Sequence, residues 1–522
     1  MSAGDFRSIV VACRNMTSVI APAPVGGARR HGRGAAAAAV AAAALALVAH
    51  LYFLGFLTHF GLFGNGVDAV VYRHGGSTVL SGEDLYTFSL FDTNLPFTYP
   101  PFAALAFVGL ALLPVAATIV VVDVVNVVLL YVAVLLSWRL LGYRGGNTHV
   151  VSICLAIAAS WLEPVRMTLW LGQINLLLLV LVLWDLGRPE GSRLRGVGVG
   201  LAAGFKLTPA FFIVYAVALR QWRTAVVAAA TFAGTVLLGF VVLFEQAWSY
   251  WTSALFNSDR IGLLQSPANQ SVRGMLARAW PDGSPPLLVW VIGSLAVACL
   301  GMWAAVLAHR RGARLLSLTL CGLTTPMVSP FSWGHHWVGC VPLTVLALDQ
   351  ACRASWRWRW VRPVVVIAPF IAWYWTAPEG FAVIGTFMLP KPGVIGLLCS
   401  NAYPLAFVMV LAGVVAAAIR ARSLRGDGLP RLQLLFERHR RVRRARRRQT
   451  HESEGSLPKR RHVPRETALG LGAVEEDAVD GRVRVEELRK VVGLDGRFDD
   501  CGIQTPVPGA QLQHVPHGDP VV

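Results

Sequence analysis

A carboxylate just past the end of a first membrane span can act on a substrate presented at the bilayer surface, and this chain has one. Asp68 follows the apolar run 35–60, in a polar stretch, 64–101, that also holds Tyr72, Arg73, His74, Glu83, Asp84, Tyr86 and Asp92. The stretch closes on Phe97-Thr98-Tyr99-Pro100-Pro101. Three more polar clusters interrupt the apolar sequence. Trp161-Leu162-Glu163-Pro164-Val165-Arg166 leads into Leu171-Gly172-Gln173-Ile174-Asn175. Gly204-Phe205-Lys206-Leu207-Thr208-Pro209 and Ser329-Pro330-Phe331-Ser332-Trp333-Gly334-His335-His336-Trp337 follow. Ionisable groups at membrane depth are costly and usually face a cavity or a partner. Each cluster also has an ordinary reading. Asp68 can cap the helix beginning at 67–72, and Glu163 can pair with Arg166 three residues on. Lys206 can snorkel to the headgroups, and His335 and His336 can sit in the interface with Trp333 and Trp337. All four clusters are expected on one side of the bilayer, which favours one wet cavity over four separate accidents.

The elements that must position these residues are apolar helices. The 522 residues are 55% hydrophobic and 15% charged, with mean hydropathy +0.55, so the class is an all-α polytopic membrane protein. Lys and Arg gather beside short connections on the cytoplasmic side. Arg29, Arg30 and Arg33 precede the first span, and Arg139 and Arg144, then Arg188, Arg193 and Arg195, then Arg220 and Arg223 follow in later connections. Arg310, Arg311 and Arg314, then Arg353, Arg357, Arg359 and Arg362, complete the set before Arg420. The opposite side then receives 61–101, 163–172, the kink at Lys206–Pro209, 245–285, 329–337 and 376–400. Parity gives about twelve spans: 35–60, 115–137, 149–162, 171–186, 196–206, 208–219, 224–244, 286–309, 315–329, 337–350, 363–375 and 401–419. Segment 102–113 lies in the interface or re-enters, set off by Pro114.

Four regions follow: a cytoplasmic segment 1–34, a transmembrane domain 35–419, an Arg-rich juxtamembrane segment 420–448 and a largely disordered cytoplasmic tail 449–522. The first span is too long for a cleaved signal. Twelve Arg stand against Asp427 and Glu437 in 420–448, which favours anionic lipid rather than nucleic acid as what that segment meets. The eight cysteines have neither pairing nor metal-ligand spacing, and no Asp-x-Asp pair accompanies the polar clusters.

The order Asp68-xxx-Tyr72, NLPFTYPP, WLEPVR with LGQIN, GFKLTP and SPFSWGHHW resembles the polyprenol-phosphate-mannose-dependent α-(1→2)-mannosyltransferases of mycobacteria and relatives. These belong to the GT-C glycosyltransferase superfamily. The similarity runs from about Asp68 to about Leu348, includes EQAWSYWTSALFNSDRIG and NQSVRGMLAR, and is greatest to the enzyme that adds mannose branches to lipomannan and lipoarabinomannan. It leaves out 420–522. The resemblance implies a GT-C fold with large extracytoplasmic loops, a polyprenyl-phosphate-mannose donor, a lipoglycan or phosphatidylinositol mannoside acceptor, and a periplasm-facing site in the plasma membrane. Asp68 takes the place of the family's catalytic carboxylate, to accept or orient the acceptor hydroxyl proton. Lys206, Arg166 and the histidine pair are candidates for the departing phosphate, with His335 or His336 alternatively sharing the base role. Gln173 and Asn175 suit sugar hydroxyls, Tyr72 and Glu163 complete the binding set, and the Tyr99-Pro100-Pro101 turn is expected to shape a groove for the polyprenyl chain. No metal and no further cofactor is expected. The rival class, a transporter or flippase of a lipid-linked sugar, should show internal repeats and paired broken helices. The sequence has one broken helix and no repeat, with its polar groups at one face.

Overall fold

The computed structural model describes residues 29–54, 62–63, 65–87, 95–257, 262–354, 359–377, 380–389 and 391–420. Asp92, the expected tail and nearly all of the Arg-rich segment lie outside the described residues, as do residues 1–28 of the N-terminal segment.

A hydrocarbon core of about 30 Å needs roughly 20 helical residues to cross it. Among the described residues, five helices are long and apolar enough: α1 (Arg33–Leu54) over its first twenty residues, α4 (Val115–Leu140), α10 (Trp222–Val242), α13 (Leu287–Arg310) and α18 (Ala402–Arg420). They form for plain reasons. Ala and Leu carry α1, Pro114 and Pro286 stand just before α4 and α13, and Arg139 and Arg310 lie in the last turns of those two helices, where a cation suits the dipole. Val241 on α10, Val120 on α4 and Leu287 on α13 lie exposed, forming an apolar outer surface suited to lipid. The protein is a mostly helical membrane protein.

The twelve separate spans are not reached by helix length. α6 (Glu163–Leu171) and α7 (Asn175–Gly187) qualify only as a pair, bent by 118°. α3 (Pro101–Ala111), α5 (Gly146–Ala159) and α14 (Arg314–Val328) are shorter apolar helices. α8 (Val197–Phe205) and α9 (Phe211–Ala218) are likewise short. As the sequence suggested, they hinge at Lys206, whose backbone is extended (φ −153°), before a 3-10 turn over Thr208–Ala210.

One expected span is replaced. In place of a helix over 363–375 the chain forms α16 (Val361–Ile367) and a 3-10 turn containing Pro369, then an antiparallel hairpin of β1 (Ala372–Ala377) and β2 (Gly380–Gly385). Aromatic and β-branched residues in Ala372-Trp373-Tyr374-Trp375-Thr376 favour a strand, which an average of hydropathy does not register.

The remaining elements position the site. α2 (Val67–Ser81) packs closely on α3, because a Cβ at Gly76 would lie 2.4 Å from the Phe107 carbonyl oxygen. α11 (Phe244–Thr252) and α12 (Val272–Ala279) occupy the long loop after α10, and α17 (Gly393–Ser400) precedes α18. A 3-10 turn over Gly334–Trp337 joins α14 to α15 (Cys340–Arg353). Tyr72, Phe97, Leu176, Leu323, Trp337 and Tyr403 belong to one buried core shared by these pieces.

α7 also separates two kinds of chemistry. Asn175 begins it, among the polar clusters. Asp185, in its last turn, accepts from Gly196 N and Val199 N and from Arg188 Nη2. Arg195 and Arg314 donate to carbonyls at that same end. Asn175 and Asp185 are therefore about 15 Å apart along one helix.

Candidate active site

The site is built where α2, the α6–α7 bend, the α8–α9 hinge and the Gly334–Trp337 turn meet. Asp68 stands in the first turn of α2, where a carboxylate suits the helix dipole. It is not the cap: that position is Gly66, in the left-handed region with φ +56°. The carboxylate instead accepts from Gln173 Nε2, with Oδ2 at 2.6 Å. Gln173 in turn accepts at Oε1 from Tyr72 OH at 2.9 Å and from Tyr99 OH at 3.3 Å, and the two phenols are 3.0 Å apart. Two hydroxyl donors on one amide oxygen fix which way the amide faces, so its NH2 is committed to Asp68.

The bend that delivers Gln173 depends on Gly172. Its φ is +71°, and a Cβ there would lie 2.8 Å from the Ala69 Cβ, one residue from Asp68. The backbone of Gly66 donates to the Trp170 carbonyl at 2.9 Å, tying the start of α2 to the end of α6.

On the other side of Tyr99 stands Lys206. Its Nζ lies 5.4 Å from the centre of the Tyr99 ring, donates to Asn175 Oδ1 at 3.2 Å and lies 3.2 Å from His336 Nε2. Asn175 Nδ2 donates to the His335 carbonyl at 3.0 Å, and the two imidazoles meet edge to face at 4.7 Å. Lys206 N donates the last bond of α8, to the Ala202 carbonyl at 3.1 Å, and its extended backbone then turns the chain into the next leg at Thr208 and Pro209.

Electrostatics sort the roles. Burial pushes the Asp68 carboxyl up to about 6, opposed by the Gln173 hydrogen bond and by the Lys206 charge. Burial, and then Lys206, hold His335 and His336 well below the usual imidazole range. Both rings are therefore neutral at pH 7. A neutral imidazole facing an ammonium accepts, so His336 Nε2 receives a Lys206 proton and its Nδ1 carries the ring hydrogen. Lys206 is the cation of the cluster.

A cleft opens from this cation. Lys206, Asn175 and His336 line its polar end; Leu178, Leu179, Val182 and Leu183 of α7, Phe212 of α9, Leu318 of α14 and Pro342 of α15 make most of its wall apolar, with Thr208, Thr319, Thr325 and Ser329 among them. Pro100 and Pro101, expected at such a groove, line a separate smaller crevice with Gly204, Phe232 and Trp251.

Asp68, Tyr72, Tyr99, Gln173, Asn175, Lys206, His335 and His336 are thus brought together, while Glu163 and Arg166 are turned elsewhere. Glu163 is buried and accepts from the Tyr403 hydroxyl, with its carboxylate against Gly334. Arg166, 1% exposed, lies over the Trp161 ring at 5.6 Å and 3.5 Å from His50 Nδ1. Sequence reasoning passed over Tyr403, and it noted the Asn269-Gln270-Ser271 run only within NQSVRGMLAR, without a role, although three consecutive polar residues in a loop between spans were a visible signal.

The description Glycosyltransferase family 87 matches residues 97–330. A Mycobacterium tuberculosis (strain CDC 1551 / Oshkosh) protein named polyprenol-phosphate-mannose-dependent alpha-(1-2)-phosphatidylinositol pentamannoside mannosyltransferase is 34% identical over 318 residues, covering 59% of this chain and 73% of that relative. A Mycolicibacterium smegmatis protein of the same name is 36% identical over 320 residues, covering 59% of this chain and 76% of the relative. A Mycobacterium tuberculosis (strain ATCC 25618 / H37Rv) protein named as the phosphatidylinositol mannoside mannosyltransferase of this type is 34% identical over 296 residues, covering 54% and 69%. No solved structure matches the chain.

Proposed function

Since the chain belongs to glycosyltransferase family 87, we propose that it transfers mannose from polyprenyl-phosphate-mannose to a mannose hydroxyl of a lipid-anchored acceptor, inverting a β-phosphate into an α-(1→2) linkage. The observation that carries this reading is one carboxylate, Asp68, joined through Gln173 and Tyr99 to one ammonium, Lys206, which itself lines an apolar cleft.

In this reading the acceptor hydroxyl oxygen attacks the anomeric carbon from the face opposite the phosphate. Asp68 takes the hydroxyl proton as the new carbon–oxygen bond forms. The bond from the anomeric carbon to the phosphate oxygen breaks, and its electron pair leaves on a polyprenyl phosphate monoester. Lys206 stabilises the charge growing on that oxygen, held in place by Asn175 and neutral His336. Gln173 orients Asp68, and Tyr72 and Tyr99 fix Gln173. The apolar cleft takes the first isoprene units.

The names of the relatives favour a phosphatidylinositol mannoside as acceptor. A lipomannan-type lipoglycan is the alternative that the sequence motifs first suggested. The shorter apolar helices would bring the crossings to about twelve in a GT-C arrangement. The arginine connections would then lie in the cytoplasm and the site on the extracytoplasmic face of the plasma membrane. A lipid monophosphate donor needs no metal to bridge a pyrophosphate, so transfer is expected to survive EDTA. The test is a membrane assay with radiolabelled polyprenyl-phosphate-mannose, offered phosphatidylinositol mannosides and lipomannan separately, followed by linkage analysis. Absence of α-(1→2)-linked label on both acceptors overturns the reading.

A further inference from the structure

The loop before α12 holds three consecutive polar residues, Asn269, Gln270 and Ser271, all with no solvent exposure and none used in the transfer chemistry. Their bonds converge on the turn that carries the histidines. Asn269 Oδ1 accepts from Ser332 N at 3.1 Å, and Gln270 N donates to Ser332 O at 2.7 Å, so both backbone groups of Ser332 are pinned from one side. Ser271 Oγ donates to the same Asn269 Oδ1 at 2.8 Å and accepts from Gly274 N at 3.1 Å, fixing the run to α12.

Gln270 reaches the other way. Its Oε1 accepts from Tyr403 N at 3.1 Å, and its Nε2 donates to the carbonyls of Pro267 at 2.6 Å and Ser400 at 2.7 Å. Arg278 of α12 adds a bond to Asn401 Oδ1 at 2.6 Å. The Tyr403 ring packs 5.5 Å from Trp337, and its hydroxyl donates to Glu163, whose carboxylate lies against Gly334. A Cβ on Gly334 would fall 2.5 Å from Glu163 Oε1. The segment from Ser332 to Trp337 is therefore braced by the polar run at its start and by Tyr403 and Glu163 behind it.

We infer that Asn269 and Gln270 are positioning residues for the Lys206 end of the site, setting where His336 and the His335 carbonyl stand. The inference rests on the proposed mannosyl transfer, in which that end holds the donor phosphate. Three residues separate Ser332 from His336, whose ring accepts from Lys206, and Asn175 bonds the His335 carbonyl. A shift of this turn moves two of the groups that hold the Lys206 ammonium. Asp68 is held by other contacts, Gln173 with Tyr72 and Tyr99, so the acceptor side should not feel it. Outer contacts that orient metal-ligating side chains change function by about 10–100-fold when removed, and the same scale is expected for a contact that orients the groups around an ammonium.

The test compares purified full-length wild type, Asn269→Leu and Asn269→Asp in detergent, measuring kcat, KM for polyprenyl-phosphate-mannose, KM for the acceptor, and Tm. Asn269→Leu removes the acceptor of Ser332 N, while Asn269→Asp keeps an oxygen there. The expected result is a kcat loss of about 10-fold or more for Asn269→Leu, with a raised donor KM and an unchanged acceptor KM. Asn269→Asp should recover kcat to within about fivefold of wild type, a small part of that range. Equal kcat losses in both variants that follow their Tm, or a rise in both KM values together, overturn the inference, as does a folded Asn269→Leu with wild-type constants. If Asn269→Leu does not fold, Gln270→Met decides: folded and kinetically wild type, it overturns the inference; slowed with only the donor KM raised, it supports it. A wild type that does not use the donor counts against the proposed function instead.

Discussion

Lys206 is the residue on which the chemistry turns most sharply, because the side chains it touches, Asn175, His336 and Tyr99, carry no charge to share its role. Its ammonium is divided between Asn175 and His336 and lies over the Tyr99 ring, leaving it at the head of the apolar cleft. Lys206→Met keeps the apolar stem and removes the charge, so kcat should fall about 10²–10³-fold, the usual loss for one oxyanion donor. Lys206→Arg should retain part of the rate, since charge remains while the geometry changes. A fully active Met variant at equal membrane abundance would show that Lys206 only snorkels. Asp68 gives a second expectation, with its sign set by burial. Its carboxyl is pushed up to about 6 and must be ionised to take a proton, so kcat/KM should fall as pH drops through about 6 and level off above it. A rate unchanged between about pH 5 and pH 7 would contradict that role. Asp68, Lys206 and the histidines were legible in the sequence, because a polar group in an apolar run is conspicuous. Glu163 and Arg166 were equally conspicuous and turned out to face Tyr403 and Trp161. Which way a side chain points from a short helix is decided by long-range packing, and sequence spacing does not contain it.

The bend between α6 and α7 is the element that makes the site. It turns the chain by 118° and places Gln173 beside Asp68, one residue past a glycine in the left-handed region. Gly172→Val should therefore be harmful twice over. A β-branched residue at φ +71° is strained by roughly 1–2 kcal/mol, and its Cβ would press on Ala69, displacing α2 and with it Asp68. The expected outcome is a lower Tm with a kcat loss larger than the stability change explains; wild-type kcat in a folded Gly172→Val would show that the bend does not set the carboxylate. The hinge at Lys206 was visible from Thr208 and Pro209, and the two legs formed as expected. The hairpin after α16 was not, because an averaged hydropathy cannot tell an aromatic strand from a helix. The expected number of spans is not reached by helix length for a related reason. Short apolar helices such as α5 and α14 have the same composition as a span, and only their length distinguishes them.

At the scale of the whole molecule, the polar cluster at Asn175 and the arginine cluster at Asp185 occupy opposite ends of α7, which supports a two-sided arrangement across the bilayer. Cysteine introduced at Ser77 or Ser253 should react with a membrane-impermeant thiol reagent in intact cells with an opened outer envelope. Cysteine at Ser192, in the arginine-bearing connection, should react only after permeabilisation. The reverse pattern would place the site in the cytoplasm and make a nucleotide-sugar donor the better reading. The central claim, that Asp68 is the base of a mannosyl transfer from a lipid phosphate, has a direct measurement. Wild type and Asp68→Asn, at equal folded abundance in membranes, are given radiolabelled polyprenyl-phosphate-mannose and a phosphatidylinositol mannoside, and the label joined in α-(1→2) linkage is counted. Wild type should transfer, and Asp68→Asn should lose at least about 10²-fold, the lower end of what a positioned base contributes. Equal transfer by both proteins would contradict the account.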